Sequence, residues 1–78
     1  MIEKLKGRPR DFAWKDVVAL LEGLGYSEVK RGKTGGSRRR FVHDTAAMII
    51  LHEPHPGNEL KAYQVELVLE TLVEEGLI

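Results

Sequence analysis

The sequence predicts an α+β fold of order α-β-β-β-α, in which a three-stranded antiparallel sheet carries two helices on one of its faces. Three observations lead there. Two segments hold apolar residues at helical spacing, and each is followed by a stop glycine. Between them lie three short extended stretches separated by turn residues. The chain has 78 residues, which suits one small core.

Residues 1–10 read as a flexible basic arm, broken by Gly7 and Pro9, and residues 11–78 read as the single domain. The first helix is expected over residues 13–24. Trp14, Val17, Val18, Leu21 and Leu24 share one face, and Asp11 or Asp16 suits the unpaired N–H groups of its first turn. Gly25 is its natural end, because glycine takes a positive φ without steric cost. Residues 27–30 form a weak strand, and the glycine-rich stretch 31–36 reads as a hairpin loop.

Residues 37–43 form the second strand. Alternation puts Arg38, Arg40 and Val42 on one face and Arg39, Phe41 and His43 on the other. Phe41 belongs in the core, which leaves Arg38 and Arg40 on the open face. A turn at 44–47 leads into residues 48–52, the most apolar stretch and the best-buried strand. Residues 53–58, with two prolines and a glycine, break regular structure. The second helix follows over residues 61–75, with Val65, Val68, Leu69 and Leu72 as its apolar stripe and Gly76 as its stop.

Composition narrows the function classes. Cysteine is absent, which excludes disulfides, a thiol nucleophile and cysteine-based zinc sites, and fits a reducing cytoplasm. No apolar run is long enough for a transmembrane helix, and residues 1–6 lack the apolar core of a secretory signal. No membrane association and no cofactor are expected. Net charge is zero, but residues 1–40 hold 11 Lys and Arg against 5 Asp and Glu, while residues 41–78 hold 1 against 7. The basic half can meet phosphate, since local potential governs such contacts.

The triplet Arg38-Arg39-Arg40, just after Gly35-Gly36-Ser37, is the strongest local signal. Guanidinium groups fork onto phosphate oxygens, so the triplet reads as a nucleic-acid-binding strand, with Ser37 as a further phosphate contact and Arg31 and Lys33 adding positive field. Gly32-Lys33-Thr34 is no P-loop. The nearest upstream glycine, Gly25, is separated from Gly32 by six residues rather than four, and glycines rather than a helix follow. His43, His52 and His55 lack the acidic or cysteine partners of a metal shell. Ser37, His43 and Asp44 lie on one strand without a nucleophile elbow, so they do not read as a triad.

RNA cleavage needs less machinery. The 2′-OH is the nucleophile, and the protein supplies a base, an acid and positive charge. His55, between Pro54 and Pro56, is the candidate acid/base group. Its alternative reading is a loop residue that hydrogen-bonds the backbone.

With these features assembled, the chain resembles the HicA-type, or YcfA-like, toxin family. The resemblance covers most of residues 11–78. It rests on the helix ending in Leu24-Gly25-Tyr26, on Gly36-Ser37 opening a strand that reaches Phe41, and on Pro54-His55-Pro56-Gly57-Asn58-Glu59-Leu60-Lys61 before the last helix. It implies a double-stranded-RNA-binding-like fold, cleavage of mRNA as an endoribonuclease, and a HicB-type antitoxin that covers the active face. The family's Gly-Ser-His places a catalytic histidine where this chain has Arg38, while Gly36 and Ser37 match. Arginine stays protonated and does not serve as a general base. Either another group, such as His55, supplies the acid/base chemistry, or binding remains without cleavage. A non-catalytic RNA-binding module and a protein-interaction module of the same fold are the alternatives. The free chain is expected to be monomeric.

Overall fold

A computed structural model describes residues 2–29, 38–54 and 57–78. Its elements are α1 (Ile2–Lys6), α2 (Trp14–Gly23), β1 (Ser27–Val29), β2 (Arg38–Val42), β3 (Ile49–His52) and α3 (Ala62–Glu74). The strands form one antiparallel sheet in the order β1-β2-β3. From α2 onward this is the predicted α-β-β-β-α order, with boundaries shifted by one residue or so. The open three-stranded sheet and its helical layer make the fold α+β.

Helix α2 ends as the sequence requires. Gly25 has φ +101°, its N–H donates to the Glu22 carbonyl, and the Tyr26 N–H donates to the Leu21 carbonyl at 2.9 Å. This pair of bonds satisfies carbonyls that the helix end would otherwise leave bare. Gly76 closes α3 in the same way at φ +74°, with Leu77 N–H donating to the Leu72 carbonyl. In both cases the residue after the glycine turns back onto the core side of the helix. Tyr26 is 2 % exposed, and its hydroxyl donates to the Ala47 carbonyl at 2.7 Å. Burial pushes the Tyr26 phenol up, and the Glu75 carboxylate adds to the rise.

The core lies between the helices and one sheet face. Phe41, Ile49 and Leu51 come from the sheet, Val17 and Leu21 from α2, and Val65, Val68 and Leu72 from α3. Trp14 packs against Phe41 with ring centroids 6.1 Å apart. Helix α1 is an element the sequence pattern did not bring out, because five residues are too few to display a period. Leu5 is fully buried and α1 packs against α3. Outside this segment, Arg8 pairs with Glu66 at 2.9 Å, but both side chains are well exposed, so the pair adds little.

The segment after β3 is sewn to the start of α2. Trp14 N–H donates to the Asn58 carbonyl at 2.6 Å and Leu60 N–H to the Phe12 carbonyl at 2.8 Å, around an isolated bridge between Ala13 and Glu59. Phe12 and Leu60 are both buried beneath this bridge.

Candidate functional site

The antiparallel register decides which side chains share the open face. Arg38 is opposite His52, and Arg40 stands between Val29 and Ile50. Directly paired residues project from the same side of a sheet. Phe41, whose partners are Glu28 and Ile49, is fully buried on the helix side. Arg38, Arg40 and His52 therefore belong to the open side. Arg38 and His52 are exposed and Arg40 is half-buried. The exposed Val29 and half-buried Ile50 give these cations an apolar floor.

Arg39 is on the other side. Its Nε lies 3.4 Å from Glu28 Oε2 and a terminal nitrogen lies 3.1 Å from Glu53 Oε1. The three side chains are partly buried, so their charges attract more strongly than on an open surface. Glu28 comes from β1, Arg39 from β2, and Glu53 follows β3, so the row braces all three strands. Arg39 was expected to add to a phosphate-binding field; its guanidinium is instead turned to these two carboxylates. Arg31, Lys33, Ser37 and His55, the remaining residues expected at the site, lie outside the described residues.

His43 has a structural duty. Its Nε2–H donates to the Leu24 carbonyl at 3.0 Å, and Nδ1 accepts the Thr45 and Ala46 N–H groups, each at 3.1 Å. These partners orient the ring, with Nδ1 as the acceptor and Nε2 as the donor. Its edge meets the Tyr26 ring at a centroid distance of 4.9 Å. It locks the turn before β3 to the end of α2. Among the described residues, no group of three or more His, Cys, Asp or Glu side chains is placed to hold a metal ion.

Gln64 is a residue that sequence reasoning missed. It is 2 % exposed, its Nε2 donates to the His52 carbonyl at 2.7 Å, and its Oε1 accepts the Lys61 N–H at 2.9 Å. Both partners are backbone, so the amide orientation is fixed by what each requires. The side chain ties the end of β3 to the first turn of α3. Its sequence signal was a polar residue beside the apolar stripe, three positions after a helix start. Replacing Gln64 by leucine should leave one partly buried N–H and one partly buried carbonyl without their partner, at a cost of roughly 1–3 kcal/mol. A lower urea midpoint with an unchanged denaturant slope is the expected reading. An unaltered midpoint would refute the tie.

The profile of a family described as HicA toxin of bacterial toxin-antitoxin matches residues 14–72, from the first residue of α2 almost to the end of α3. The chain belongs to the HicA toxin family. No curated protein and no solved structure matches it. The toxin therefore has an antitoxin as its partner class. The matched span includes the whole sheet and thus the Arg38, Arg40 and His52 face. Among the described residues, no helix of the toxin is long and apolar enough to cross a membrane.

Proposed function

We propose that the toxin binds mRNA on the open face of its sheet and cleaves it as an endoribonuclease, under the control of a HicB-type antitoxin that covers the same face. The observation that carries this reading is the pair Arg38 and Arg40, two residues apart on β2 and therefore on one side of the strand, with no carboxylate opposite either of them among the described residues of the paired strands. Opposite Arg38 is His52, and opposite Arg40 are Val29 and Ile50. Guanidinium groups so arranged are suited to successive phosphates of one strand. In this reading Arg38 grips and neutralises the scissile phosphate, Arg40 holds a neighbour, and Arg31, Lys33 and Ser37 extend the contact. The site of action is the cytoplasm, where mRNA is.

A second reading keeps the binding and omits the cleavage. Arg38 favours it, because a guanidinium does not take up the proton of the 2′-OH. The two readings share their first test. Binding of a fluorescent single-stranded RNA by the purified toxin should weaken steeply with salt. Arg38→Ala with Arg40→Ala should lower affinity by roughly 10- to 100-fold and reduce the log–log salt slope by about 1.4, the value for two lost phosphate contacts. An unchanged slope in the double variant would reject the open face as the RNA site. End analysis of the RNA after incubation then separates cleavage from binding.

A further inference from the structure

We infer that His52 is the general base of the cleavage reaction, acting beside Arg38 from the neighbouring strand. This rests on the RNA-cleaving reading above. The β2–β3 register puts His52 directly opposite Arg38. Cross-strand partners have their Cβ atoms about 4.5–5.5 Å apart on one face, so both side chains reach a single nucleotide. Arginine holds a phosphate but does not accept a proton, and the histidine opposite it supplies what is missing.

The two histidines within the described residues are used differently. His43 has both ring nitrogens committed to backbone groups. The ring of His52 has no hydrogen-bond or ion-pair partner among the described residues, and the side chain is exposed. The backbone beneath it is nonetheless held, because its carbonyl accepts the buried Gln64 amide at 2.7 Å. The nearest acid in sequence, Glu53, is on the opposite side and pairs with Arg39. His52 is therefore an exposed imidazole with open nitrogens on a tethered backbone, next to the cation that suits the phosphate.

The step is a transesterification within the RNA. His52 takes the proton from the 2′-OH, and the 2′-oxygen forms a bond to the adjacent phosphorus. The bond from phosphorus to the 5′-oxygen breaks, and that oxygen takes a proton from solvent. The imidazolium then returns its proton to water. The products are a 2′,3′-cyclic phosphate and a 5′-hydroxyl, with no oxidant, reductant or co-reactant. Arg38 neutralises the charge that grows on the phosphorane oxygens.

The 78-residue toxin chain is incubated with a mixed-sequence transcript, and binding, cleavage and product ends are followed for wild type, His52→Gln and His55→Gln. His52→Gln should bind within about two-fold of wild type, melt at the same temperature, and cleave at least about 100-fold more slowly, the lower bound for losing a general base. Added imidazole should restore part of the activity of His52→Ala, which a purely structural role would not allow. Cleavage by His52→Gln at the wild-type rate overturns the assignment, as does cleavage lost in His55→Gln but kept in His52→Gln. Wild-type toxin that binds RNA and leaves it intact overturns the base while the binding reading stands. Absence of salt-sensitive binding by wild type overturns both.

Discussion

Phe41→Ala is expected to destabilise the domain by about 3–5 kcal/mol, the usual cost of removing a buried aromatic ring. A 78-residue chain has on the order of 4–12 kcal/mol of total stability, so this single change should remove roughly a quarter of it or more. Phe41 is 0 % exposed and meets Trp14 from α2, so it joins the sheet to the helical layer. The cavity would open on β2, the central strand, where neither neighbouring strand can close it without breaking register. Urea unfolding followed by the fluorescence of Trp14, the one tryptophan, reports the effect directly. Val42→Ala, one residue on and turned to the open face, should cost far less. Equal losses in the two variants would contradict the division of faces. RNA binding should fail in Phe41→Ala in proportion to the unfolded fraction, because β2 is also the strand that carries Arg38 and Arg40.

Gly25→Ala is the second large effect. Two costs coincide at this position. The residue has φ +101°, where an L side chain is strained by about 1–2 kcal/mol. An added Cβ would also lie 2.8 Å from His43 Nε2 and 3.2 Å from its Cδ2, closer than atoms approach without displacement. The imidazole has little freedom to retreat, since Nδ1 holds the Thr45 and Ala46 N–H groups. Displacing it would strip the Leu24 carbonyl and two N–H groups of their partner, adding roughly 1–3 kcal/mol. The total is about 2–5 kcal/mol, readable as a fall in melting temperature. Adding His43→Ala to Gly25→Ala should cost less than the sum of the two changes, because the clash has gone. Strict additivity would mean that the glycine and the histidine are independent.

Much of this architecture was legible in the residues. Helix α2 and helix α3 were readable because Val17, Leu21, Val65, Val68 and Leu72 recur at the helical period and because Gly25 and Gly76 stop them. The division of β2 was readable because one bulky apolar residue, Phe41, fixes the phase of an alternating strand. Helix α1 was not readable. It is held by one buried leucine, Leu5, against a helix some sixty positions away, and no local pattern records that. The cap that Gln64 makes to Lys61 had a local signal, but its tie to β3 did not, since the partner there is the backbone carbonyl of His52, which carries no sequence signature.

The sequence by itself determined the fold class, the phase of the arginine strand and the family, because period, glycine stops and short motifs are local properties. Tertiary structure alone decided the company each side chain keeps. Register is a relation between strands, set by how the turn at 44–47 and the core around Phe41 close together. That relation sends Arg39 to Glu28 and Glu53, commits His43 to the turn, and stands His52 opposite Arg38. Two histidines that are equivalent as letters thus become a structural lock and an open imidazole, because hydrogen-bond partners are assigned by packing and not by residue type.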